Sequence, residues 1–327
     1  MRAKVRAHSN IALIKYWGKR DERLNLPAVG SISLTLSALW SDTTIEFNAQ
    51  FERDTLFLNH RPASAQELER ISNFLDLIRS LAGVHWKARV ESENNFPTAA
   101  GLASSASGFA ALTVAAARAL KLNLTKRELS VLARRGSGSA ARSIFGGFVE
   151  MHVGQEPDGS DAFAQQIAPP DHWDIRLLIG ITSSVAKETG STSGMNLSKK
   201  TSPYYQAWID TQEMDLAAMR QAIKQRNFEQ LGELAEHSCL KMHALALSSK
   251  PGILYWNGTT VEAMQAIRRL RDSGLPVYFT IDAGPQIKAL CLPEAENKVR
   301  NLLASIPRIQ KVISNKPGPG VRILEGD

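Results

Sequence analysis

The chain has 327 residues, 43% of them apolar, and a formal net charge of +7; that length exceeds the usual single core and predicts two lobes. Its longest apolar stretch, 109–117, is broken only by Thr113 and ends at Arg118, far short of a membrane span, and the opening MRAKVRAHSN lacks the apolar core of a signal peptide, so a soluble cytoplasmic protein is expected. Cys239 and Cys291 form no C-x-x-C pair, which argues against a disulfide framework or a zinc site, and the positive charge is spread out, which suits a small anionic ligand and not a nucleic-acid surface.

In chain order, residues 10–19 (NIALIKYWGK) come first, with Lys15 and Lys19 four apart and aromatic residues between them. On a helix they would share a face and repel unless an anion bridged them; as surface charges they would need no ligand. Residues 31–36 (SISLTL) alternate with the period of a half-buried strand, and 43–47 continue in the same manner. Ser64 with Glu67 makes a capping box for a helix that stops at Gly83, and Val84, Trp86, Ala88 and Val90 then alternate as a strand.

Residues 94–109 (NNFPTAAGLASSASGF) place a run of small side chains between that strand and an apolar helix over 104–122. Little there holds a polyphosphate away from the unpaired N–H groups of a helix start, where the aligned peptide dipoles favour an anion. Ser104 or Ser105 is the expected cap. An N-cap serine before an Ala-rich helix also occurs without any phosphate, and no lysine follows the glycines as a Walker loop requires. Thr125 with Glu128 opens a further helix running into Arg134, Arg135 and Gly136. The next residues, 135–142 (RGSGSAAR), contain G-x-G-x-x-A, but the helix before them excludes a dinucleotide fingerprint, which needs a preceding strand. They form either a compact set of N–H, hydroxyl and guanidinium donors for an anion or an ordinary Gly-rich turn.

A strand is expected over 144–153, a Gly, Pro and Asp-rich loop over 154–171, a strand over 175–181, and a polar, basic connection or lid over 182–205. Helices over 205–224, 228–246 and 261–273 follow, then a strand 276–281, a helix 294–305 and a strand 310–314. The strand 276–281 ends at Asp282, before Ala283, Gly284 and Pro285. A carboxylate so placed faces a cleft and orients a proton, or caps the following turn.

Taken together, KYWGK, LNLP, NNFPTAAGLASSASG, GSGSAARS and TIDAGP resemble the galactokinase, homoserine kinase, mevalonate kinase and phosphomevalonate kinase superfamily, and within it the mevalonate diphosphate decarboxylase family. The resemblance runs from Ala7 to beyond Pro285. It implies an α+β, two-lobed small-molecule kinase fold: an N-terminal lobe like ribosomal protein S5 domain 2 over 1–185, a C-terminal ferredoxin-like α/β sandwich over 186–327 carrying the catalytic Asp, and the active site between them. It implies ATP-dependent decarboxylation of (R)-5-diphosphomevalonate to isopentenyl diphosphate, with ADP, phosphate and carbon dioxide, and relatives in this family often form homodimers. A mevalonate or phosphomevalonate kinase and a catalytically silent nucleotide-binding module are the alternatives.

By the same resemblance, Asp282, Lys15 and Arg142 would carry catalysis, with Arg142 on the substrate carboxylate and Asp282 at its 3-hydroxyl. Tyr16, Lys19, Ser137, Gly138 and Ser139 would surround the diphosphate and nearby oxygens, and Trp17, Asn25 and Met195 would line the site. ATP and Mg²⁺ would occupy Pro97, Ala100, Gly101, Leu102, Ala103, Ser104 and Ser105, with Ser105 toward the metal. Some bacterial members carry an arginine where this chain has Thr192, so that one diphosphate contact is either missing or supplied by Lys199 or Lys200.

Overall fold

A computed structural model describes residues 1–96, 104–185 and 187–326. Strand β1 (Arg2–Ile14) turns Ala3, Val5 and Ala7 inward and is buried on both faces from Ala7 onward. It runs antiparallel along β4 (Ser31–Asn48), which joins the two strands expected at 31–36 and 43–47 into one. The helix considered for residues 10–19 does not form: pairing with β4 keeps the chain extended to Ile14, so Lys15 leaves the end of a strand while Lys19 opens the short hairpin of β2 (Lys19–Asp21) and β3 (Leu26–Pro27).

Among the described residues, β5 (Thr55–Leu58), β6 (Arg61–Pro62), β7 (Lys87–Asn94) and the late strand β14 (Arg322–Glu325) complete a sheet in the order β14-β1-β4-β7-β5-β6. From β4 it branches through β8 (Phe148–Met151) to β9 (Ala164–Ala168), a strand that lies inside the expected loop 154–171. Ala3, Val5, Ile45, Phe47, Ala88 and Val90 of this sheet pack against α1 (Ala65–Ala82), α2 (Ser104–Ala119) and α3 (Lys126–Gly136). Both expected capping boxes close, Ser64 with Glu67 on α1 and Thr125 with Glu128 on α3. The short α4 (Ala140–Ser143) follows α3 directly.

The second sheet has the order β11-β12-β10-β13, from β10 (Arg176–Ile181), β11 (Val277–Thr280), β12 (Ile287–Cys291) and β13 (Lys311–Asn315), all antiparallel. It is accompanied by α5 (Ser191–Thr201), α6 (Tyr205–Gln225), α7 (Phe228–Leu247), α8 (Gly258–Asp272) and α9 (Glu296–Ser305). α5 stands within the stretch expected to be a connection or lid. The sheets divide the chain differently from a cut after 185, since β10 pairs on both sides within the second sheet and β14 returns to β1. A core of Ile11, Leu13, Leu34 and Leu36 from the first sheet with Leu177, Ile179, Met219 and Leu231 from the second lobe joins the two. Both cysteines are free and buried. Among the described residues, no helix is long and apolar enough to cross a membrane.

Candidate active site

Where β1 and β11 end, α6 and α7 hold strands of different sheets together. The Lys15 N–H donates to Ser238 Oγ on α7 at 2.9 Å, and Gln212 Nε2 on α6 donates to the Lys15 carbonyl at 3.0 Å. On the other side the Ile281 N–H donates to Cys239 Sγ at 3.2 Å, one residue before Asp282. Lys15 Nζ thereby meets Asp282 Oδ1 at 2.6 Å and also donates to the Ala12 carbonyl at 2.8 Å. From β12, Lys288 Nζ stands 3.1 Å from Asp282 Oδ2. Burial works against the Asp282 charge, but the two ammonium groups outweigh it and hold its carboxyl well below the usual range. Behind the pair, burial and the nearby Lys15 push His243 down to about 3, so its imidazole is neutral.

This pair lies in a cleft of about 640 Å³ between the lobes. Among the described lining residues, Lys15, Lys19, Arg70, Arg142 and Lys187 are basic and Asp282 alone is acidic. Burial lowers Arg142 to about 10 and Lys187 to about 8, and shifts Lys19 and Arg70 down as well. Packing cations together without matching acids is costly unless an anion enters, so the cleft is built for a ligand bearing several negative charges.

Each basic group has a seat. Arg142 donates from Nη1 to Ser31 Oγ at 2.7 Å and from Nε and Nη2 to Asn10 Oδ1 at 3.2 and 3.1 Å. Asn10 is fixed in turn, its Nδ2 donating to the Ser139 carbonyl at 3.0 Å and to Ser143 Oγ at 2.8 Å. Lys187 Nζ donates to Ser191 Oγ at 2.7 Å and to the Ala283 carbonyl at 2.9 Å. Arg70, on α1, donates to the Gly136 carbonyl at 2.8 Å.

The turn 136–139 and two helix starts supply neutral donors. The Ser137 hydroxyl lies 3.4 Å from those of both Ser105 and Ser139. Gly138 is required by close approach, since a Cβ there would stand 2.4 Å from the Tyr16 hydroxyl oxygen. That hydroxyl has no hydrogen-bond partner among the described residues, and burial raises its pKa to about 12. The cap position of α5 is Gly190, which has no side chain to satisfy the free N–H groups, and Ser191, Thr192 and Ser193 line the cleft. Trp17 and Met195 form an apolar wall with Met242, and Asn25 reaches the Arg135 carbonyl at 2.8 Å from a left-handed backbone position.

Lys15, Tyr16, Trp17, Lys19, Asn25, Ser104, Ser105, Ser137, Gly138, Ser139, Arg142, Met195 and Asp282 thus share one cleft. Pro97, Ala100, Gly101, Leu102 and Ala103 lie outside the described residues. The serine cap needs correction, because Ser104 is already the first residue of α2. Thr192 Oγ1 accepts from Lys19 Nζ at 3.3 Å. Lys199 donates instead to the Lys19 carbonyl at 2.9 Å, and neither it nor Lys200 is among the described lining residues.

Sequence reasoning missed Asn10, Ser31, Arg70, Lys187 and Lys288. A second, smaller and mostly apolar hollow beside Ser104 and Ser105 is lined by Leu56, Ile71, Val90 and Phe109 and shares Arg70 with the cleft.

A family model described as the diphosphomevalonate decarboxylase-like N-terminal domain matches residues 7–164, and one for the mevalonate 5-diphosphate decarboxylase C-terminal domain matches 177–319. The chain is 40% identical over 315 residues to a diphosphomevalonate decarboxylase of Candida albicans, covering 92% of this chain and 87% of that protein. A solved structure described as MDDEF in complex with MVAPP, AMPPCP and magnesium superposes with a TM-score of 0.93 at 41% identity, covering 99% of each chain. Another, on the mevalonate diphosphate mediated ATP binding mechanism of the Enterococcus faecalis mevalonate diphosphate decarboxylase, gives a TM-score of 0.92 at 41% identity over 99% of each chain.

Proposed function

The chain belongs to the diphosphomevalonate decarboxylase family, and from that premise we infer which of its residues perform the reaction. The reaction is the ATP-dependent decarboxylation of (R)-5-diphosphomevalonate to isopentenyl diphosphate, yielding ADP, phosphate and carbon dioxide, and it uses Mg²⁺. The observation that carries our assignment is Asp282, held between Lys15 and Lys288 in a cleft whose other charged residues, among those described, are all cations.

A tertiary alcohol leaves poorly, so its oxygen is phosphorylated before it departs. Asp282 orients the 3-hydroxyl and takes its proton late, which matches a carboxylate held too weakly basic to remove it early. Lys15, already at Asp282 Oδ1, faces the phosphoryl group in transit. As phosphate leaves C3 the neighbouring carboxylate breaks down and supplies electrons to the developing positive centre. Arg142, clamped by Asn10 and Ser31, fixes the direction of that carboxylate. Lys19, Tyr16, Ser137, Gly138 and Ser139 receive the diphosphate, with Trp17, Asn25 and Met195 shaping the wall.

The head of α2 suits the nucleotide: Ser104 and Ser105 open toward the cleft, and the adjoining apolar hollow fits a planar base. Pro97, Ala100, Gly101, Leu102 and Ala103 belong to the same assignment. The Ser105 hydroxyl, which opens on the cleft beside that of Ser137, is the protein group that would meet Mg²⁺ brought in with the nucleotide. Mg²⁺ supplies neutralisation of phosphate charge when bound. A cytoplasmic location and a homodimer are part of the same proposal; two free, buried thiols suit a reducing compartment.

The test is incubation with ATP, Mg²⁺ and mevalonate, its 5-phosphate or its 5-diphosphate in turn, with carbon dioxide followed. Gas from the 5-diphosphate alone is expected, and none from it rejects the assignment. Gly138→Ala drives a Cβ to within 2.4 Å of the Tyr16 hydroxyl, and we expect KM for the 5-diphosphate to rise about tenfold with a smaller change in kcat. Unchanged steady-state constants would remove Tyr16 and Gly138 from the diphosphate site.

A further inference from the structure

Asp282 carries one negative charge and is contacted by two buried ammonium groups, and the two differ in what else they can reach. Lys15 and Lys288 are each 1% exposed, yet only Lys15 is among the residues lining the cleft. Lys288 sits mid-sheet on β12, opposite Thr280 of β11 on one side and Ile179 of β10 on the other, so its backbone is fixed from both flanks. Its Nζ passes the Gln286 carbonyl at 3.5 Å and ends 3.1 Å from Asp282 Oδ2. A purely structural ion pair needs one cation, and burying a second is costly.

The other groups facing Asp282 do not duplicate Lys288. Lys187, from the segment before α5, is tied to Ser191 and Ala283. Arg142, from α4, acts on Asp282 through space while its N–H groups serve Asn10 and Ser31. From α7, Cys239 and His243 hold the peptide of Ile281 and are both uncharged near neutral pH, burial raising the thiol to about 11 and lowering the imidazole to about 3.

Resting on the function assigned above, we propose that Lys288 is a positioning residue that keeps Asp282 ionised and its carboxylate aligned while Lys15 turns to the entering phosphoryl group. An anion in the cleft competes with Asp282 for Lys15, which it can touch. It cannot compete for Lys288, which lies outside the lining. The division explains why one carboxylate has two lysines: one follows the reaction and the other maintains the acceptor.

The sign of the test follows directly. Removing Lys288 withdraws a charge that favours the carboxylate and leaves burial, which favours the protonated acid, so the acid limb of kcat moves to higher pH. For Lys288→Met we expect that limb to rise by about one pH unit or more, with kcat at pH 7 down about 10-fold or more. KM for both substrates and affinity for a non-hydrolysable ATP analogue should stay near wild type. Lys288→Gln, which keeps a donor near Oδ2 without the charge, should shift the limb in the same direction and serves if the methionine variant does not fold. Lys288→Arg should restore the wild-type limb even where kcat is lower. A folded Lys288→Met or Lys288→Gln enzyme whose acid limb coincides with wild type overturns the proposal, as does an arginine variant shifted as far as the neutral ones. Asp282→Asn separates the two levels: if it silences turnover while the Lys288 variants leave the limb in place, only this inference falls, and if it turns over normally the catalytic assignment itself falls.

Discussion

Replacing Asp282 by asparagine is expected to lower kcat for carbon dioxide release by about 10³-fold while leaving affinity for an ATP analogue little changed. Asparagine keeps the shape of the side chain but cannot accept the proton of the 3-hydroxyl. It also removes the negative charge that Lys15 and Lys288 share at 2.6 and 3.1 Å, leaving two buried cations facing a neutral amide. The head of α2 and the turn 136–139 do not depend on this carboxylate for their hydrogen bonds, so nucleotide binding should survive. Single-turnover release of carbon dioxide and calorimetric titration with the analogue measure the two halves. A variant that turns over at the wild-type rate would rule out Asp282 as the proton acceptor.

Arg142→Gln is expected to reduce carbon dioxide release by about 10²-fold or more, with KM for the 5-diphosphate also raised. The guanidinium is 2% exposed and donates through Nε, Nη1 and Nη2, so its plane is set before any ligand arrives. Lysine offers a point charge without that fork, and Arg142→Lys should recover little of the loss. ADP and carbon dioxide measured in one reaction show whether nucleotide consumption continues when the carboxylate is misaligned. Wild-type output from either variant would contradict a positioning role for Arg142.

How far the amino-acid order exposes this arrangement differs by element. The two capping boxes, the Ala-rich α2 and Asp282 at a strand's end are local signals, each complete within a few residues, and the structure has both boxes, the helix and the strand end. β14 could not be found this way, because Arg322, Ile323, Leu324 and Glu325 are all exposed and show no alternation of burial; only its partner β1 defines it. α5 has the composition of a loop, with Ser, Thr, Gly, Asn and Lys outnumbering Met195 and Leu197, and tertiary packing overrides that bias. β1 hides its period because its inner half is covered on both sides.

Within the site, the residues recognised in advance belong to dense motifs, and those missed stand alone. Lys288 is a single charge in an apolar strand, intelligible only once Asp282 is seen beside it. Lys187 belonged to a stretch expected to be a connection or lid, and Ser31 looked like the polar face of a strand until Arg142 was found donating to it. Asn10 opens the segment singled out for Lys15 and Lys19, where its link to Ser139 and Ser143 has no local trace. Asn10 and Ser31 stand more than a hundred positions from the residues they bond, which leaves no spacing to read.

The pairing of β14 with β1 joins residues 322–325 to residues 4–6. During synthesis on the ribosome, the outer edge of β1 therefore stays open until almost the whole described chain has emerged, although its inner neighbour β4 is made early. For that interval the nascent sheet presents unpaired peptide groups to any other extended segment nearby.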